Sequence, residues 1–376
     1  MKDKFKIGIT CYPLPGGSGV IASELGLQLA RRGHQVHFIS YSLPFRLPRF
    51  QENLFFHEVE ITNYPLFKYP PYTLTLAAKM AEIASSWNLD ILHVHYAIPH
   101  AICAFLTKSM LGDNAPKIIT TLHGTDITLV GQEKSFYKIT KFGIEASDAV
   151  TAVSKYLSET TRNEFGINKP IHCLSNFVDT TRFTPTNPAC QREKFAPGGE
   201  KILIHMSNFR PVKRVEDVVK IFAEIRKTIP AKLLLIGEGP QLDSTLSLAR
   251  QLCVRQEIVL FGQQEFVENL LCLGDLFLLP SDTESFGLGA LEALSSGVPV
   301  IGTNLGGLPE VVKDGECGFL LPLGDVAGMA DRALELLKDE NKLNDFRKRA
   351  RQRAVEHFDA DKIVPEYEKL YCQLLN

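Results

Sequence analysis

The stretch Gly274–Pro309, GDLFLLPSDTESFGLGALEALSSGVPVIGTNLGGLP, leaves this chain few folds to choose from. GDLFLLP is a short apolar run closed by a proline, the pattern of a strand buried on both faces. Ser281, Asp282, Thr283 and Ser285 cluster where a helix would open, and Gly287–Ala293 follows with helical composition. Val298–Gly302 is a second buried run, which Thr303, Asn304, Gly306 and Gly307 end in a turn. Strand, loop, helix, strand and glycine turn make a βαβ unit, so the sheet is parallel. Open parallel sheets take their ligands beyond the C-terminal ends of their strands.

Two carboxylates sit in this unit with the spacing Glu284-x7-Glu292. A helix opening near Ser285 puts Glu284 in the entry loop and Glu292 about two turns inside. The amides of Ser285, Phe286, Gly287 and Leu288 then lack intrahelical partners at a positive helix end, which suits a phosphate. A carboxylate deeper in such a site suits the hydroxyl pair of a ribose, since it accepts from two donors. On spacing alone, a capped surface helix with two solvated glutamates is the simpler reading.

A chain of 376 residues is long for one core and predicts two domains. With 45% hydrophobic and 22% charged residues the composition is that of a soluble globular protein. A net charge of −2 gives no basic excess for nucleic acid. The N-terminus MKDKFKIGIT enters a strand without a signal-peptide core, and no apolar stretch reaches the roughly 20 residues of a membrane span. The eight cysteines are scattered with no CxxC pair, which predicts free thiols in a reducing cytoplasm. Oligomeric state is left open, a homodimer being the commonest arrangement on base rates.

In chain order, Lys6–Thr10 is the first strand. Gly16, Gly17 and Gly19 form a flexible loop opening a helix that ends at Gly33, and His37–Ser40 is the next strand. Loop-into-helix after a strand is a phosphate-cradle context. It is not a dinucleotide fingerprint, because no acidic residue ends the second strand. Phe45–Pro71 reads as irregular, a wall for an acceptor cleft. Leu74–Ser86 is a helix, and Ile91–Ala101 a strand running into a loop. His93, His95 and His100 invite a metal, but no carboxylate or cysteine follows at ligand spacing, so they read as satisfied polar residues. Lys117–Leu122, Asp148–Val153 and Pro170–Leu174 are further strands. Thr184–Glu200, rich in Pro and Gly, is a linker, and Lys201–His205 restarts the strand pattern as a second domain would. Lys232–Gly237 and Glu257–Phe261 follow. The only Asp-x-Asp string, Asp359–Asp361, falls in the tail and reads as chance, so no metal ligand set is expected.

The run from Glu284 to Glu310, ESFGLGALEALSSGVPVIGTNLGGLPE, resembles the donor-sugar signature of the family-four retaining glycosyltransferases. That resemblance implies an α/β GT-B architecture: two facing Rossmann-like domains with a cleft between them and a C-terminal helix crossing back. It divides the chain into an acceptor-binding domain, 1–183 with helix 357–376, a linker at 184–200, and a donor-binding domain at 201–356. Glu284 would contact the donor sugar, the amides of Phe286, Gly287 and Leu288 the diphosphate, and Glu292 the ribose. HGTDITL, His123–Leu129, matches the family's H-G-x-D position and implies that His123 faces the donor sugar while Asp126 shapes the pocket; on its own Asp126 reads as a helix cap. In SNFRPVKR the family pattern G-R-x4-K-G assigns Lys213 to the diphosphate. Asn208 stands at the family's arginine position and Arg210 two residues on. The loops after 232–237 and 257–261 resemble those that hold the nucleoside base, and Gly17 would lie against the donor phosphates. SNFVDTTRF resembles the family's N-G-V-D segment with Phe177 in place of glycine.

Segments such as HVHYAIPHA and TTLHGTDIT are most similar to those family members that join N-acetylglucosamine from UDP-GlcNAc to L-malate. Ser18, Tyr96, Thr125 and Asn176 are then the acceptor contacts, at loop ends of the first domain, with Lys155 and Arg182 as candidate partners for the malate carboxylates. The family's front-face retaining chemistry implies no carboxylate nucleophile and no metal, with domain closure over the donor. A lipid or polysaccharide acceptor in the same fold, a nucleotide-dependent oxidoreductase built on tandem Rossmann units and a non-catalytic sugar-nucleotide sensor are the competing readings.

Overall fold

The structure is a computed structural model and describes residues 4–61, 66 and 68–376. The chain divides into two compact units, residues 1–175 with 361–376, and residues 176–360. Each is an all-parallel sheet whose strands read as apolar runs because helices cover both faces.

In the first unit the strands are β1 (Lys6–Thr10), β2 (Gln35–Ser40), β3 (Leu54–Glu58), β4 (Ile91–His95), β5 (Lys117–Leu122), β6 (Ala149–Ala152) and β7 (Ile171–Cys173). Their order is β3-β2-β1-β4-β5-β6-β7. The helices are α1 (Gly17–Arg31), α2 (Tyr72–Trp87), α3 (Ile102–Leu111), α4 (Thr125–Thr128), α5 (Tyr137–Ala146) and α6 (Lys155–Phe165). Ile39, Leu92, Val94 and Ile118 of the sheet bury against Leu76, Met80 and Ile83 of α2 and Cys103 and Ala104 of α3. Strand β3 lies inside Phe45–Pro71, the segment expected to be irregular. It escapes a pattern reading because it is an edge strand, half-exposed along most of its length. Residues 62–65 and 67 of that segment lie outside the described residues.

The second unit holds β8 (Lys201–Met206), β9 (Ala231–Ile236), β10 (Ile258–Gly262), β11 (Leu276–Leu279), β12 (Val300–Thr303) and β13 (Gly318–Leu321), in the order β10-β9-β8-β11-β12-β13. Its helices are α7 (Val215–Arg226), α8 (Leu242–Gln251), α9 (Glu268–Leu271), α10 (Leu288–Ser295), α11 (Leu308–Val311), α12 (Val326–Leu337) and α13 (Glu340–His357). The stretch 184–200, expected as a linker, is held to this unit: Arg192 pairs with the buried Asp275 and donates to the Leu273 carbonyl at 2.5 Å. Arg351 donates to the carbonyls of Phe183 and Thr180 at 2.6 and 2.8 Å, so the second unit starts at Asn176 and not at residue 201.

Helix α14 (Ala360–Leu375) belongs from Asp361 onward to the first unit. There Arg32 donates to Asp361 at 2.7 Å and Tyr371 packs edge-on to Phe5. Asp359 accepts from Thr180 in the second unit, so the two carboxylates of the Asp-x-Asp string serve separate units. Both sheets have one point at which strand order reverses, between β1 and β4 and between β8 and β11. At such a point the loops diverge and leave a crevice for a ligand.

Candidate functional sites

The reversal point of the second unit brings together the loop after β8, residues 207–214, and the loop after β11, residues 280–287. Lys213 Nζ donates to Glu284 Oε1 at 2.7 Å across it, with the glutamate side chain 10% exposed. One residue on, Arg214 sits at φ 48, donates to Asp217 through Nε at 2.6 Å and reaches Asp282 at 3.2 Å. The Asp282 amide in turn donates to the Val212 carbonyl at 2.8 Å. Beneath them the buried His205 bridges the same two strands. Its Nδ1 donates to the Leu278 carbonyl and its Nε2 meets Ser207 Oγ, both at 2.8 Å. Burial lowers His205 to about 4, so it contributes no charge to the pair above it.

Helix α10 begins at Leu288, three residues later than the sequence suggested, because Gly287 stands in the left-handed region at φ 97 and no side chain caps the helix. The first intrahelical bond runs from Leu291 N to the Gly287 carbonyl at 3.1 Å. The amides of Leu288, Gly289 and Ala290 therefore precede the helix ladder, while those of Ser285 and Phe286 belong to the entry loop. Glu292, 3% exposed, is carried inside α10. Phe286 turns its ring inward, edge-on to Phe358 at 5.7 Å, so only its backbone faces the loop.

The glycine turn after β12 holds this loop in place. Gly307 N donates to the Glu284 carbonyl at 2.7 Å, and a methyl on Gly306 would lie 2.2 Å from that oxygen. Asn208 is exposed, and Arg210 has no side-chain partner among the described residues. Asn176, expected beside the acceptor loops of the first domain, is buried in the second unit instead.

At the reversal point of the first unit, the loops after β1 and β4 meet. Ser18 Oγ donates to the Tyr96 hydroxyl at 3.2 Å, and Tyr12 packs edge-on to Tyr96 at 5.3 Å. Gly17 is the exposed first residue of α1, with open space around it. Asp126 is fully buried and neither caps its own helix nor faces outward. Oδ2 accepts from Ala97 N at 3.0 Å, and Oδ1 from Gly124 N at 2.9 Å and His123 N at 3.2 Å. It ties the β4 loop to the β5 loop. Burial pushes its carboxyl above the ordinary range although those amides pull the other way. Thr125 opens α4 beside it, half-buried.

The histidines form a stack. His93 and His95 lie 4.7 Å apart and His95 and His123 5.0 Å apart, ring over ring. His93 contacts the Tyr371 hydroxyl of α14 at 2.8 Å and Thr121 Oγ1 at 2.7 Å, while His95 Nδ1 meets His123 Nε2 at 2.8 Å. Desolvation lowers His93 and His123 to about 3 and His100 to about 4. The sequence reading missed Tyr12, His205 and Arg214, and it set His95 aside as a satisfied polar residue. For His95 a signal existed, since the His-x-His alternation puts it on one face of β4 with His93.

Two family profiles match the chain. One described as Glycosyltransferase Family 4 covers residues 15–182, and one described as Glycosyl transferases group 1 covers residues 188–353. The chain is 51% identical over 373 residues to the N-acetyl-alpha-D-glucosaminyl L-malate synthase of Bacillus anthracis, spanning 99% of this chain and 98% of that protein. It is 30% identical to a GDP-mannose-dependent monoacylated alpha-(1-6)-phosphatidylinositol monomannoside mannosyltransferase of Corynebacterium glutamicum, over 75% of this chain and 76% of that one. Among solved structures, HepE of Anabaena in complex with UDP and glucose aligns with a TM-score of 0.82 over 98% of this chain and 99% of that one, at 16% identity, a likeness of fold. No helix among the described residues is long and apolar enough to cross a membrane.

Proposed function

The chain belongs to the family-four glycosyltransferases, and we propose that it is a retaining, metal-independent N-acetylglucosaminyltransferase that moves GlcNAc from UDP-GlcNAc to the hydroxyl of L-malate, the first step of bacillithiol biosynthesis, in the cytoplasm. The observation that carries this reading is the near full-length identity to a GlcNAc-malate synthase. The site geometry supports it. In the second unit a lysine and the amides at the start of α10 converge on one reversal point, the groups a diphosphate needs when no ion bridges it.

In the reaction, the bond from the anomeric carbon to the β-phosphate oxygen breaks and the malate hydroxyl oxygen bonds to that carbon on the same face. The hydroxyl proton passes to the departing phosphate, giving GlcNAc-malate and UDP. Charge grows on the diphosphate as this proceeds. Lys213 and Arg210 neutralise it, and Glu284, freed from sole pairing with Lys213, accepts from sugar hydroxyls. Glu292 takes the ribose. In the first unit Ser18, Tyr96 and Thr125 receive malate, and His123 meets the sugar. Asp126 acts by position, because its oxygens are committed to backbone amides.

Incubation with UDP-GlcNAc and L-malate after chelator treatment is expected to release UDP, and proton NMR of the product to show the α-anomer. Activity that appears only with added manganese overturns metal independence, and a β-anomer overturns retention. Equal turnover with a lipid acceptor in place of malate would move the acceptor reading to the class of the mannosyltransferase relative.

A further inference from the structure

The geometry points to His95 as the residue that fixes the tautomer of His123: its Nδ1–H donates to His123 Nε2, leaving His123 to present Nδ1–H to an oxygen of the ligand. The placement of His123 beside a ligand rests on the glycosyltransferase reading above; the tautomer does not.

His95 Nδ1 and His123 Nε2 are 2.8 Å apart, a hydrogen-bond distance that requires one shared proton between them. Both rings are neutral at pH 7, since burial lowers each of them far below the ordinary histidine range. Two arrangements satisfy the pair. Either His95 donates from Nδ1 and His123 carries its proton on the other nitrogen, or His123 donates from Nε2 and His95 carries its proton on Nε2.

The second nitrogen of His95 decides between them. His95 Nε2 is buried without a hydrogen-bond partner among the described residues. Placing a proton there would strand a buried N–H, and orphaned buried donors are rarer than under-satisfied acceptors. Nε2 is therefore the bare nitrogen and Nδ1 the donor. The neighbouring rings do not compete for that role. His93 has a hydroxyl at each nitrogen, Tyr371 and Thr121, and hydroxyls donate or accept as needed. His100 Nδ1 donates to the His95 carbonyl at 2.5 Å and so has its own tautomer fixed.

His123 is held on its other sides. Its amide donates to Asp126, and the Tyr96 ring lies 5.5 Å away. With Nε2 spent on His95, Nδ1 is the atom left for a ligand, and it bears a proton. A hydroxyl or phosphate oxygen is the chemical class such a neutral donor recognises. His95 is thus a positioning residue.

The test is nitrogen-15 NMR of histidine-labelled full-length protein without substrate, His123 being assigned by its loss in His123→Gln. The wild type is expected to carry the His123 proton on Nδ1; a proton on Nε2 overturns the inference. His95→Asn, whose side-chain amide donates from nearly the same place, is expected to keep that tautomer and to hold kcat within about threefold of wild type. His95→Asp offers only an acceptor and is expected to draw the His123 proton to Nε2, with kcat falling on the order of 10² and KM for the donor changing far less. An unchanged tautomer in His95→Asp also overturns it. Because the tautomer is read without substrate, a failure of the malate reading would leave this result standing on its own.

Discussion

Three glycine-to-alanine changes in the second unit separate backbone strain from displacement of the loop that carries Glu284. Gly307 has φ −87, a conformation open to any residue, yet a methyl there would sit 2.3 Å from the Ser285 carbonyl oxygen. Gly306 has φ 64 and its methyl would sit 2.2 Å from the Glu284 carbonyl oxygen, so strain and clash coincide. Gly315 has φ 73 with nothing within 4 Å, so strain acts alone. The obstructing atoms are backbone, which no rotamer can move aside. Reaching ordinary contact means a withdrawal of about 1 Å by the 284–285 backbone. A shift of about 1 Å in a positioned group costs on the order of 10² in rate. Left-handed backbone costs a non-glycine residue about 1–2 kcal/mol of stability. Gly315→Ala should therefore melt lower and turn over like wild type. Gly307→Ala should lose about 10²-fold in kcat/KM, and Gly306→Ala should lose both. UDP release with UDP-GlcNAc and L-malate, run beside thermal melts, reads the two effects separately. A folded Gly307→Ala enzyme within about threefold of wild type would refute the reasoning.

Lys213→Ala removes the cation facing Glu284 and should lower kcat on the order of 10²–10³, with Lys213→Arg partly restoring it; full activity in the alanine variant ends the assignment. Asp126→Asn puts an NH2 group against backbone donors, and relief of the buried charge offsets part of that loss, so a drop of about 1–3 kcal/mol is expected in denaturant unfolding; unchanged stability would show that the three amides do not depend on the carboxylate. His93, His100 and His205 are fully buried and held neutral, lowered to about 3, 4 and 4. Unfolded, each binds a proton near pH 6.5, so below that pH the unfolded state holds more protons and stability falls as pH drops from about 6.5 toward 4. Each contributes up to about 1.4 kcal/mol per pH unit in that window, and melts at pH 7.5 and 5 should differ steeply; a flat profile would mean these rings are not buried neutral.

How much of this was legible depends on what kind of contact does the holding. The parallel sheets announced themselves because a strand buried on both faces is a run of apolar residues, as in LFLL at Leu276–Leu279 or the LLLI that ends the strand Ala231–Ile236. Strand β3 did not, because an edge strand is half-exposed and loses that signature. The domain boundary was read from the Pro- and Gly-rich composition of Thr184–Glu200. That composition marks irregular backbone, and irregular backbone can be pinned: Arg192, inside this stretch, reaches the distant Leu273 carbonyl, and Arg351, far along the chain, holds Phe183 just before it.

The candidate sites divide the same way. Lys213 and Glu284 were legible as types in a motif, but their 2.7 Å pairing comes from β8 and β11 being neighbours in the sheet, an adjacency that a separation of 71 positions in sequence conceals. Asp126 read as a cap because an aspartate at the start of a helix usually is one. Its carboxylate instead takes the Ala97 amide, which only the pairing of β4 with β5 brings near. His95 was set aside as a polar residue satisfied at a strand end, and the structure leaves one of its nitrogens bare. In each case the residue type was visible and the partner was not, because parallel pairing places side by side residues that a crossover helix keeps far apart in sequence. The functional consequence is that these loops cannot be retuned one at a time. Moving the β4 loop moves Tyr96 and, through Ala97 and His95, the loop and ring of His123 as well.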